Sequence, residues 1–365
     1  MQAELAPTPP LEAEAPARPR IRSWIGQLAG LLLLLATIHY VEPAALLARI
    51  SQLQVGFIAV GTALVVPQLH CLALRWRLTA AQLGFPFAQR QALREYGLSM
   101  LLNLLLPFGI AGDALRVLRH STGAALSSPT PHSLPSEHTP LRAAEAPETR
   151  GVGLSRAFHG VVLERMLGQV VVIVWAVATL PLWFGKVGVW LSAAALGALA
   201  IGALLVRRIP RRGALDSRSV PMRTLLELSL SLQRLLGSRR YLGAQFALSS
   251  VITLTIAAQL YCALGALGLT LSAAQASQVF PLMLLSMTLP LAFAGFGPRE
   301  AVTAELYDIL QLSAADGAAF ALAFGAILIC TSLPCLLLVL CLSEHEHAHV
   351  HVLVREHEHE QGAPP

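Results

Sequence analysis

Apolar residues in this chain gather in long runs separated by short, arginine-bearing polar stretches. A run near twenty residues is the length of helix that crosses about 30 Å of hydrocarbon. The first such run extends from Trp24 to Val41 and the second from about Gln54 to Leu74. Further runs cover Val161–Phe184 and Val189–Val206, with Gly185 to Gly188 as the turn between them. Gly243–Leu267, Ala276–Phe296 and Ala314–Leu342 complete the set, with a shorter run, Ala301–Leu312, before the last. This pattern predicts an all-α polytopic membrane protein of six to eight transmembrane helices. The run Leu191–Leu205 also carries small residues at a spacing that favours close helix packing.

The polar stretches divide the chain. Residues 1–23 form a Pro/Ala/Glu-rich tail ending in Arg18, Arg20 and Arg22, and are expected to be disordered. Residues 24–342 form the membrane domain. Within it, 120–150 is a Pro/Ser/His-rich insertion expected to be disordered, and 207–240 is a loop with nine arginines against Asp216 and Glu227. Leucines at helical spacing from Leu225 to Leu235 suggest that part of this loop lies as an amphipathic helix on the inner leaflet. A His/Glu tail, 343–365, ends the chain.

Composition sharpens the class. Hydrophobic residues make up 55% of the 365 and charged residues only 13%, with a mean hydropathy of +0.61. Soluble domains carry about 25% charged residues, so a soluble fold could not hide this much apolar surface. The net charge of +5 lies in loops between apolar runs, where it reports topology and not nucleic-acid binding. Cys71, Cys262, Cys330, Cys335 and Cys341 sit inside or at the ends of apolar runs, without metal-site spacing, and are expected to be small buried hydrophobes. Trp175, Trp183 and Trp190 are expected in the interfacial belt, and His39, His70 and His159 in structural positions near span ends.

Two interruptions share one pattern. Leu106-Pro107 through Ala111-Gly112 to Arg116, and Leu289-Pro290 through Ala294-Gly295 to Arg299, both read LPxxxAGxxxR. Proline removes a backbone donor and glycine permits a sharp turn. Pro107, Gly109 and Gly112, and Pro290, Gly295 and Gly297, are therefore candidate positions for re-entrant breaks. Corresponding Gly/Pro-broken segments in two halves point to a transporter binding site. The arginine-bearing loops 75–94, 116–156 and 207–240 all mark the inside, so 97–115 must enter and leave on that side. An inverted repeat then has the second break enter from the opposite side and pair with Ala301–Leu312. Six spans plus two re-entrant pieces, or eight plain crossings, satisfy the pattern.

Ionisable residues within apolar runs are costly and are functional candidates by default. They are Asp113 and Arg116, Glu164 and Arg165, and Arg299 and Glu300. Exposed backbone N–H groups beside guanidinium suit an anionic lipid headgroup, with Arg116 and Arg299 on the phosphate and the others positioning them. The tail alternates imidazole and carboxylate at His345, His347, His349, His351, His357 and His359. That chemistry suits weak divalent-metal binding, although a solvated polar tail is the plainer reading. No cofactor is implied.

At these residues the chain resembles the membrane region of lysylphosphatidylglycerol synthase, found also as a stand-alone flippase-like protein. The matching stretches are LLNLLLPFGIAGDALR, VVLERMLG and LPLAFAGFGPREAV. They carry a proline break with Gly-Asp and Arg, a Glu-Arg pair opening a span, and a Gly-x-Gly-x-Arg-Glu motif, over about 50–340. The insertion at 120–150 is longer than the resemblance leads one to expect. Nothing in 343–365 could be the soluble aminoacyl-transferase domain of the full-length synthase. The resemblance therefore implies a lipid flippase or transporter moving an anionic lipid or lipid-linked intermediate between leaflets, and not an enzyme. Its expected setting is the bacterial plasma (inner) membrane, with the N-terminus cytoplasmic. The alternative is an accessory or enzyme component of an envelope-lipid or polyprenyl-phosphate glycan pathway, working with a separate enzyme.

Overall fold

The computed structural model describes residues 21–41, 43–105, 111–121, 147–208, 220–289 and 296–342. The tails, most of the 120–150 insertion, Pro107, Gly109, Pro290, Gly295 and the histidine-rich terminus lie outside the described residues. The elements are α1 (Ile21–Tyr40), α2 (Pro43–Ile50), α3 (Val55–Ala63), α4 (Val65–Gln82), α5 (Gln89–Leu105), α6 (Ala111–Ser121) and α7 (Pro147–Ala178). They continue as α8 (Leu180–Arg208), α9 (Val220–Leu236), α10 (Arg239–Ala266), α11 (Ala273–Ser286), α12 (Pro298–Ile309) and α13 (Ala314–Cys330), the last prolonged by helix to Leu342. The protein is an all-α polytopic membrane fold. α1, α6 and α7 each extend a few residues into stretches whose composition suggested disorder.

Five helical stretches are long and apolar enough to cross a bilayer: Val55–Gln82, Gly153–Ala178, Leu180–Arg208, Arg239–Ala266 and Ala314–Leu342. The first apolar run makes a sixth only if the bent pair Leu28–Tyr40 and Pro43–Ile50, which meet at 92°, counts as one span. α8 contains the turn expected at Gly185, whose φ of 54° and ψ of −129° break the helix. Ser192 Oγ donates to the Val177 carbonyl at 2.7 Å, so the chain doubles back around that glycine.

The second span and α10 run antiparallel through the centre. Gln259 Nε2 donates to the Gly61 carbonyl, Arg75 reaches Ser249, and Thr79 Oγ1 lies 2.9 Å from the Tyr241 hydroxyl. Gly61 permits the contact: a Cβ there would come within 2.6 Å of Ile327 Cδ1 and 3.2 Å of Cys262 Cβ. Small residues let membrane helices pack by close backbone approach.

The two broken segments fold back as hairpins, and eight plain crossings do not fit. α6 has 11 residues and α12 has 12, lengths of only ~16–18 Å at 1.5 Å per residue. Glu95 meets His120, Ser99 meets Asp113, and Asn103 accepts from the Gly112 amide, so α5 and α6 are antiparallel with their open end at the C-terminal end of α4. A Cβ at Gly112 would stand 2.1 Å from the Ser99 carbonyl oxygen, which is why this close crossing needs glycine. The second hairpin, α11 and α12, packs beside the start of α13, where Gly317 meets the Thr303 carbonyl. That end of the bundle lies opposite the first hairpin's mouth, because α4 and α10 are antiparallel. The repeat is inverted, as the sequence pattern implied.

Other expectations are refined. α9 is helical where the leucine spacing led one to expect it, and it packs on the bundle: Leu228, Leu232 and Leu235 pack with Leu83, Leu163 and Tyr241, leaving Leu225 exposed. In the small-residue stripe of α8 a Cβ at Gly197 or Gly202 would meet nothing within 4 Å, so among the described residues no helix packs closely on these two glycines. Trp175 and Trp183 pack partly buried on the core around Phe280, while Trp190 is exposed. Cys335 is buried, but Cys341 is exposed.

Candidate functional site

α4, α5, α6, α7 and α10 converge on a buried ionic cluster. Glu164, on α7, is fully buried, and each of its oxygens faces a guanidinium. Arg75 of α4 donates through Nε at 2.8 Å and Nη2 at 2.5 Å to Oε1, and Arg116 of α6 donates through Nη2 at 3.3 Å to Oε2. Tyr96 and Ser249 complete the shell, the phenol donating to Glu164 Oε1 at 3.4 Å and the hydroxyl accepting from Arg75 at 3.3 Å. Asp113, at the start of α6, takes Arg116 Nη1 at 3.2 Å and Ser99 Oγ at 3.3 Å, and pairs with Arg165. The Arg116 guanidinium is sandwiched 4.3 Å from the Trp76 ring and 4.4 Å from the Tyr96 ring, a cation–π arrangement suited to a charge out of water.

The charge count matters. Among the described residues, Arg75, Arg116 and Arg165 pair with Glu164 and Asp113, so three guanidiniums against two carboxylates leave one positive charge within this cluster. Burying ions is expensive unless they are paired. Four of the five are buried, but the Arg165 side chain is 48% exposed and forms the open end of the cluster. Beside it, the Trp76 ring also contacts His120, whose Nε2 lies 2.5 Å from Glu95 Oε2 across the two arms of the hairpin. Both side chains of that pair are buried.

The second hairpin holds a smaller, closed pair. Arg299 donates through Nε at 3.0 Å and Nη2 at 2.6 Å to Glu300 Oε1, while Glu300 Oε2 accepts from the Gly297 amide at 2.7 Å. Gly297, at φ 111°, stands so close to the Gly30 carbonyl of α1 that a Cβ would fall 2.5 Å from it. Phe296 and Phe324 flank the guanidinium at 4.9 and 5.6 Å, and Gly325 leaves room for it. This pair is neutral and almost wholly buried.

The structure thus gathers Asp113, Arg116, Glu164 and Arg165 in one place and sets Arg299 with Glu300 in another. Among the described residues, Arg116 and Arg299 share no partner. Arg299 lies beside Gly325, two positions from the residue that packs on Gly61, and Gly61 stands 14 residues before Arg75 on one span. At 1.5 Å per residue the clusters are about 20 Å apart along the bundle.

Sequence reading missed Arg75, taken as the inside mark that ends the second span. The span continues to Gln82, and Arg75 faces inward. Glu95, Tyr96, Trp76, His120 and Ser249 were also missed, since each becomes informative only when the hairpin brings it to Arg116. The expected histidine ligands lie outside the described residues. Among the described residues no group of three His, Cys, Asp or Glu side chains could hold a metal.

The sequence model of the lysylphosphatidylglycerol synthase TM region matches residues 23–334. Comparison with curated proteins finds no match to this chain.

Proposed function

This chain belongs to the lysylphosphatidylglycerol synthase transmembrane-region family, a family of membrane proteins of lipid metabolism or transport, and we propose that it moves an anionic lipid or lipid-linked intermediate between leaflets. The observation that carries this reading is the buried cluster with one unmatched positive charge and a half-exposed arginine at its edge. An anionic headgroup arriving at Arg165 neutralises the excess and gains charge-assisted hydrogen bonds. The hairpins support movement as well as binding, because they enter from opposite ends of an inverted repeat, an architecture that suits alternating access. In this reading the arginine-rich end faces the cytoplasm of a bacterial plasma membrane, following the positive-inside rule.

The test is leaflet exchange of labelled phosphatidylglycerol in proteoliposomes, for wild type and Arg165→Ala. Arg165 is half-exposed, and its removal leaves Asp113 paired with Arg116, so the variant keeps its fold. Exchange of phosphatidylglycerol falls about tenfold, the loss of one charge-assisted contact. Wild-type exchange no faster than in protein-free vesicles, or an Arg165→Ala variant as fast as wild type, overturns the proposal.

A further inference from the structure

At the end of the bundle opposite the arginine-rich loops, a pocket of about 310 Å³ opens between α2 and the start of α13. Ala48 and Gln52 line one wall, Ser313 and Ala315 the other, and Arg49 and Asp316 face each other across it. Arg49 Nε lies 2.6 Å from Asp316 Oδ1, and Nη2 lies 3.1 Å from Oδ2. The Arg49 side chain is 43% exposed.

Position fixes what could reach this pocket. α2 meets α1 at 92° and leads into the span Val55–Gln82. Leu46 is buried against the bundle, whereas Leu47 and Val55 are 67% and 71% exposed. The pocket lies where the spans Val55–Gln82 and Ala314–Leu342 begin, which is the depth of lipid headgroups.

We propose that this pocket binds the headgroup of a zwitterionic phospholipid, with the phosphate on Arg49 and the ammonium on Asp316. The chemistry follows from the pair that lines it. The Arg49 side chain is 43% exposed and the Asp316 side chain 16%, so this pair opens at less cost than the buried Arg75–Glu164 pair, and a zwitterion exchanges that one pair for two. A headgroup carrying only phosphate would take Arg49 and leave the Asp316 carboxylate unpaired beside it. The pocket therefore discriminates by the amine. It is separate from the Arg75–Glu164 cluster and does not depend on lipid movement.

Native mass spectrometry of the purified full-length protein tests this with phosphatidylethanolamine and phosphatidylglycerol as probes. Wild type retains phosphatidylethanolamine about tenfold better than phosphatidylglycerol, the worth of one charge-assisted contact. Asp316→Asn abolishes the preference, and Arg49→Gln weakens both lipids. Ala48→Phe fills the pocket without touching the ion pair and also loses phosphatidylethanolamine. Melting without added lipid verifies that each variant is folded. Equal retention of the two lipids by wild type, or unchanged preference in folded Asp316→Asn or Ala48→Phe, overturns the proposal.

Discussion

Replacing Glu164 by glutamine tests whether the buried cluster is an electrostatic unit. The change keeps the shape of the side chain and removes the carboxylate shared by Arg75 and Arg116. Breaking a buried ion pair by deleting one partner costs about 3–5 kcal/mol, and Glu164 serves two guanidiniums, so Glu164→Gln should fall in the upper part of that range. Arg75→Met strands less charge, because Glu164 keeps Arg116, and should cost about 3 kcal/mol. The double variant is the informative one. Removing one charge of each sign restores the single unmatched positive charge of the wild type, held by Arg116 and Arg165 against Asp113. Its cost should therefore fall at least about 2 kcal/mol short of the sum of the single variants, a coupling expected of residues in one network. Reversible unfolding in mixed micelles measures all three. Additivity within about 0.5 kcal/mol would refute the argument. The same series separates charge from stability, since Arg75→Met leaves a neutral cluster and should lose preference for anionic lipid, while the double variant regains it.

Other consequences follow from single contacts. Gly112→Ala places a Cβ 2.1 Å from the Ser99 carbonyl and should prise α6 from α5, costing about 1–3 kcal/mol, read as a lower melting temperature. Gly325→Leu should displace the Arg299 guanidinium, which already stands 2.5 Å from where a Cβ would be, and destabilise the second hairpin with no effect on lipid binding at Arg165. Glu227, outside the spans, is held below its ordinary pKa of 4.5 chiefly by the Ser155 hydroxyl, which donates at 2.7 Å, with help from Arg223. A depressed folded-state pKa means its contribution to docking α9 is complete above the ordinary value and lost as pH falls through the lowered one. Hydrogen exchange in α9 should therefore be faster for Glu227→Gln than for wild type at neutral pH, and this difference should vanish in acid.

What the sequence made legible was periodic or repeated, and what it hid was made by folding. Apolar run length marked each crossing, and the two LPxxxAGxxxR segments marked both hairpins and their opposite entry. Gly185 was readable as a turn because it separates two runs, and its positive φ shows why glycine stands there. Arg75 was hidden for a specific reason. Run length treats a charge as the end of a span, yet Arg75 and Arg77 lie two residues apart and so point to different faces of α4. Arg75 is buried on Glu164, while Arg77 is only partly buried. An arginine at the edge of a span is thus ambiguous until a carboxylate elsewhere claims it. The lone Glu164 in its apolar run was that carboxylate. Pairing the unexplained acid of one span with the inward-facing arginine of another would have found the centre of the cluster, and the count of guanidiniums over carboxylates then follows. The excess charge is a property of the assembled hairpin and of no single motif, which is why the two repeated arginines, alike in sequence, end in one cationic cluster and one neutral pair.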